Sequence, residues 1–132
     1  MNLLLYSSEA DADEHQLLAH IKNTEGIEIY RSAEALWARL VKPAQIAKIF
    51  ILIADRETLS RFSEWGDLLN DRQLILILTD DSAETIRIAH SFRPRYVSIK
   101  GGNFEDVGNV LERMILRMEA QDKHLKKWRR LP

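Results

Sequence analysis

Apolar residues in this chain fall into two kinds of pattern, short unbroken runs and spaced stripes, and the two alternate from one end to the other. The clearest run is Ile49-Phe50-Ile51-Leu52-Ile53-Ala54, with Lys48 before it and Asp55 after it. A strand with one wet face alternates apolar and polar residues. An unbroken run instead fits a central parallel strand covered by helices on both sides. It is too short for a core helix, and Ile and Phe suit a pleated surface. Residues 2–6, with Leu3-Leu4-Leu5, and residues 74–78 read the same way. Ile27-Glu28-Ile29-Tyr30 alternates, as an edge strand does, and residues 95–99 supply a fifth strand.

Between the runs come helical stripes. Ser7-Ser8-Glu9-Ala10-Asp11 offers caps and acids for a helix start, Leu17, Leu18 and Ile21 recur at helical spacing, and Gly26 ends the segment. Ser32 caps a helix over 33–42 whose stripe is Leu36, Trp37, Leu40 and Val41, and Pro43 stops it. Thr58 caps a third helix with Leu59, Phe62 and Trp65 facing in, and Gly66 interrupts it. Residues 82–92 form a fourth, with Ile86, Ala89 and Phe92 inward and Pro94 as its breaker. Phe104 opens a long final helix. Strand and helix alternate five times, with connections suited to crossovers on a parallel sheet. The fold class is therefore α/β: a three-layer α-β-α sandwich, (βα)5, with a five-stranded parallel sheet and an extended C-terminal helix.

Composition narrows the chemistry. At 132 residues the chain is long enough for one domain with a proper core. Net charge is −1, but residues 119–132 hold five Lys or Arg against Glu119 and Asp122. We therefore divide the chain into an acidic body, 1–118, and a basic extension of the last helix, 119–132. An acidic body is not a nucleic-acid-binding face. With no cysteine, disulfides, thiolate metal sites and thiol nucleophiles are excluded. Leu3-Leu4-Leu5 has no basic start and is far too short for a signal peptide or a membrane span, so a cytoplasmic protein is expected.

Ligands in open α/β sheets sit beyond the carboxyl ends of the strands. There this chain places Ser7-Ser8-Glu9, Asp55, Thr79-Asp80 and Lys100. A carboxylate, a hydroxyl and an ammonium on one sheet edge suit a phosphoryl group: the first accepts it, the second hydrogen-bonds it and the third neutralises its charge. The layout resembles the receiver domain of bacterial response regulators, the CheY-like signalling module, over roughly residues 2–118, and the resemblance implies a flavodoxin-like (βα)5 fold. Thr79, Ala89 and Lys100 carry the match. The resemblance implies Asp55 as phosphoacceptor for a histidine kinase, and Thr79, Tyr96 and Lys100 as phosphoryl-contact or switch residues. It also implies Mg2+ held by an acidic pair after the first strand. Here Ser7 and Ser8 stand in place of that pair, and only Glu9 matches a following acid. Serine hydroxyls are poor Mg2+ ligands. The Pro and Gly usual after the acceptor are absent from Asp55-Arg56-Glu57-Thr58, and Gly101 replaces the usual Pro after the lysine. In addition, Ala54 rather than Asp55 can occupy the acceptor register. A pseudo-receiver is expected: a non-enzymatic signalling module without a cofactor, acting through protein contacts. The alternatives are a phosphoacceptor with Glu9 and Asp55 at an unusual metal site, or a small flavodoxin-like ligand binder. The latter is disfavoured because no Gly-rich loop follows the first strand. The four histidines, 15, 20, 90 and 124, have no ligand spacing and are expected at the surface.

In the last helix Val107, Leu111, Met114, Met118, Gln121, Leu125 and Trp128 follow steps of four and three, a heptad seam. Its first half is core. Its second half leaves open a homodimeric coiled coil, a docking surface for a histidine kinase or another regulator, a lead into an output domain, or a solvated tail.

Overall fold

The computed structural model describes residues 3–9, 11–21, 27–41, 49–65, 69, 73–101 and 104–129. Side chains are described except those of 118, 119 and 121–129. Five strands and five helices alternate: β1 (Leu3–Tyr6), α1 (Ala12–Ala19), β2 (Ile27–Tyr30), α2 (Ala33–Leu40), β3 (Ile49–Ala54), α3 (Arg56–Ser63), β4 (Gln73–Leu78), α4 (Ala83–Ser91), β5 (Tyr96–Ile99) and α5 (Glu105–Arg129). All strand pairs are parallel, in the order β2-β1-β3-β4-β5. The chain builds outward from β1 to β2, then crosses back to β3. The crevice between the carboxyl ends of β1 and β3 is thus the topological switch point, where such sheets bind ligands.

The unbroken runs are the three inner strands, and every residue of β1 and β3 is buried. Residue parity sorts their side chains between two cores. Leu4, Phe50, Leu52, Leu74, Leu76 and Leu78 meet Leu36, Leu40, Leu59, Phe62, Ala89 and Phe92 of the α2–α4 layer. Leu3, Leu5, Ile49, Ile51, Ile53, Ile75 and Ile77 meet Leu17 and Ile21, together with Phe104, Val107, Leu111 and Met114 of the α5 segment. Each fully buried Leu, Ile or Phe contributes about 1.5–3 kcal/mol, which explains why strands this short persist. The edge strands β2 and β5 are only half-buried.

Several local expectations are corrected. The cap of α3 is Asp55, not Thr58: its carboxylate accepts from the Thr58 N–H, so the helix begins at Arg56. The carboxylate and extended backbone of Asp55 suit an N-cap, and Thr58 lies already inside the first turn. At α4, which opens where the 82–92 segment does, the cap is Ser82, and Asp80 accepts from the Ser82 N–H. The α2 stripe is only half-buried: Leu36 and Leu40 face in, while Trp37 is 43% and Val41 48% exposed. Trp37 instead packs edge-on against Trp65, centroids 5.4 Å apart. Lys42, Pro43, Gly26, Lys48, Gly66 and Gly102 lie outside the described residues. His15, His20 and His90 are exposed, and the His124 side chain is not described.

α5 is continuous through Arg129. Its 25 residues span about 37 Å, roughly twice the height of strands of four to six residues. Its apolar stripe is buried through Met114, whereas Leu116 is 60% exposed. The seam members Met118, Gln121, Leu125 and Trp128 lie outside the described side chains.

Candidate functional site at the strand ends

β1 delivers Ser7 and Ser8 to the switch point. Ser7 is buried and fully engaged: its N–H donates to the Tyr30 carbonyl at 3.1 Å and its hydroxyl to the Glu9 carbonyl at 2.8 Å. Ser8 and Glu9 are exposed. At the end of β3, Ala54 holds the last ladder position, paired with Leu78. Asp55 follows it as an exposed cap with one oxygen 2.8 Å from the Thr58 nitrogen. Thr79, also exposed, closes the β3–β4 ladder by donating its N–H to the Ala54 carbonyl at 3.3 Å.

Lys100 emerges from β5 and does not pair with Asp55. Its Nζ lies 2.6 Å from Asp11 Oδ2 and 3.9 Å from Asp13 Oδ2, both at the start of α1. The other Asp11 oxygen accepts the Glu14 N–H at 3.0 Å and caps α1. One carboxylate therefore both starts a helix and neutralises the lysine. The Lys100 hydrogen bond, then the Glu14 N–H, hold Asp11 below the usual carboxylate range. In return the hydrogen bond that Lys100 donates to Asp11, followed by the charges of Asp11, Asp13 and Glu9, raises the Lys100 ammonium above its ordinary value. Gly101 follows with φ +86°, a left-handed turn that glycine adopts without strain.

Tyr96 lies on β5 opposite Ile75 and packs against the core under α1 and α5. Its neighbours Val97 and Ile99 pack toward the α2–α4 core instead. The aromatic of this strand thus faces away from α4. Tyr6 is the aromatic near Asp55: burial, then the Asp55 charge, push its phenol up.

A second ion pair flanks the crevice on the β2 side. Arg31 lies 2.9 Å from both Glu14 oxygens, and the same nitrogen reaches the Ser7 carbonyl at 3.3 Å. Glu14 is nearly sealed, at 3% side-chain exposure, against 44% for Arg31. The sequence does carry a signal for it: Glu14, Leu17, Leu18 and Ile21 share one helical spacing, so the acid falls on the inward stripe.

After the first strand, Ser7 and Ser8 offer hydroxyls where Mg2+ favours carboxylates. Among the described residues no three His, Asp or Glu side chains converge as a metal cluster. The Ser7 hydroxyl is spent on a carbonyl, Asp55 on a helix cap, and Asp11 on Lys100.

No family model matches the sequence, and no curated protein matches it. Among solved structures, the chain matches the crystal structure of a CheY-like response regulator protein from Mesorhizobium loti with a TM-score of 0.63. The match is 14% identical in sequence and covers 83% of this chain and 94% of that one. The fold is flavodoxin-like and the same as that of this CheY-like protein, and the order β2-β1-β3-β4-β5 is the one such folds share. Among the described residues no helix is long and apolar enough to cross a membrane.

Proposed function

We propose that the protein is a signalling module on the receiver scaffold that works through protein contacts, without an aspartyl phosphate and without Mg2+. The observation that carries this reading is the engagement of Lys100 with Asp11 at 2.6 Å. A lysine serving a phosphorylated aspartate has to reach that aspartate, and this one is turned to α1 instead. Asp55 as the cap of α3, and Ser7 and Ser8 where a metal would need carboxylates, point the same way. On this reading the domain is a non-enzymatic cytoplasmic protein whose partners are a histidine kinase, an output domain or another regulator. The body 1–118 is the module. The extension 119–132 carries the heptad seam onward, a fit for a homodimer or a partner helix.

The test is incubation of the full chain with a small phosphodonor and Mg2+, read by intact mass. The reading expects no adduct. Stoichiometric phosphorylation that disappears in Asp55→Asn would replace it with the phosphoacceptor alternative.

A further inference from the structure

We infer that Asp11 is a built-in counter-anion for Lys100: its carboxylate holds the position on the ammonium that an external anion would need, and so locks β5 to the first turn of α1. The inference rests on the proposed reading and adds the device that fixes the domain in one state.

Three features of the contact support a latch rather than a chance surface pair. First, the two Asp11 oxygens divide their work, one capping the Glu14 N–H at 3.0 Å and the other facing Lys100 Nζ at 2.6 Å. The helix cap orients the carboxylate before the lysine arrives, so the side-chain entropy lost in making the ion pair is that of Lys100 alone. Second, the pair is shielded, with 25% exposure for the Lys100 side chain and 31% for that of Asp11. That places it between the exposed pairs that contribute little and the sealed pairs whose desolvation dominates. Third, the far end of Lys100 is fixed as well, because its backbone N–H donates to the Leu78 carbonyl of the neighbouring strand. The contact therefore spans β4, β5 and α1, three elements distant in sequence. Glu14, the acceptor-side partner in the same turn, is itself clamped by Arg31. α1 is thus tied to the sheet by one ion pair on each side of β1.

An anion reaching Lys100 has to displace Asp11 and meet Asp13 and Glu9 close by. Removing the charge of Asp11 alone leaves Asp13, 3.9 Å away, free to take over. The decisive variant is therefore Asp11→Asn with Asp13→Asn. Asn retains the cap acceptor at position 11, so α1 is kept.

The experiment titrates the full chain with inorganic phosphate. It follows backbone amide and lysine-ammonium NMR signals in the parent, in the double variant, and in the double variant carrying Lys100→Gln. In the parent the Lys100 ammonium is slow to exchange with water and phosphate leaves it unmoved. In the double variant the ammonium signal broadens, and phosphate shifts Lys100 and the Ser7, Ser8 and Thr79 amides. Phosphate binding strengthens by about tenfold or more, the scale of one released charge near a protein surface. The shifts vanish with Lys100→Gln. Identical ammonium exchange and identical phosphate response in parent and double variant would overturn the latch, as would a response that survives Lys100→Gln. Phosphorylation of Asp55 in the parent would instead overturn the phosphate-independent reading, so the two failures are told apart.

Discussion

Arg31 and Glu14 form a pair whose halves are unequally buried, and that inequality predicts an order of stabilities. Arg31→Ala leaves the Glu14 carboxylate at 3% exposure without the guanidinium that contacts both its oxygens. Breaking a buried pair by removing one partner costs about 3–5 kcal/mol. Because Arg31 itself is 44% exposed, water screens part of that, and we expect about 2–3 kcal/mol. Glu14→Gln is different. The amide oxygen still accepts from Arg31, and the guanidinium is already half in water, so the loss is about 1 kcal/mol. Adding Glu14→Gln to Arg31→Ala then restores stability relative to Arg31→Ala alone, because the stranded charge is gone. Urea unfolding followed by circular dichroism gives all three values. Equal losses in the single variants, or a double variant less stable than Arg31→Ala, would refute the view that the desolvated Glu14 charge sets the energetics.

Other expectations follow from single contacts. A Cβ on Gly108 would lie 2.7 Å from the His20 carbonyl oxygen, backbone that cannot step aside. Gly108→Ala therefore lowers stability by about 1–2 kcal/mol despite Ala's better helix propensity, and a higher melting temperature would contradict the close α1–α5 approach. Asp55→Ala loses the α3 cap and about 1 kcal/mol, whereas Asp55→Asn stays near the parent, as paired thermal melts would show. The Lys100–Asp11 pair sets a pH window. The depressed Asp11 contributes stability above its unfolded pKa and loses it as pH falls through its lower folded value. The raised Lys100 contributes below its unfolded pKa and loses it as pH rises through its higher folded value. The pair is thus at full strength from the ordinary carboxylate pKa up to the ordinary lysine pKa and weakens only beyond them, with Asp13 and Glu9 adding to the field on Lys100. A carboxyl NMR titration placing Asp11 at or above the ordinary carboxylate value would contradict it.

Continuous runs and spaced stripes specify this fold well, because a strand buried on both faces has no polar residue to spare. Residues 49–54 were readable as the centre for that reason, and they sit between β1 and β4. The stripe of α2 is wider in the sequence than its buried face in the structure. Trp37 and Val41 keep helical spacing with Leu36 and Leu40, but the layer covers only part of the helix, and Trp65 takes up one face of Trp37. The site was legible as a place and less so as a set of contacts. Ser7, Asp55, Thr79 and Lys100 all lie at the carboxyl edge, as the pattern implies. The partner of Lys100 was not foreseen, since Asp11 read as a helix-start acid, which it also is. Two roles on one carboxylate leave a single mark in the sequence. Arg31, directly after the second strand, was missed because the strand-end set was drawn from Ser7-Ser8-Glu9, Asp55, Thr79-Asp80 and Lys100 and left out the end of that edge strand. Glu14 was missed because an acid in a first helical turn already has a reason to be there.

The most direct test of the central claim is an amide NMR titration of the full chain with Mg2+ and beryllium fluoride, which mimics an acyl phosphate on aspartate. A spectrum that does not move at Asp55, Thr79 and Lys100 is the predicted result, with Lys100 still held by Asp11. Saturable shifts at those three residues, spreading to Tyr96 along β5, would contradict it and make the domain a working phosphoacceptor.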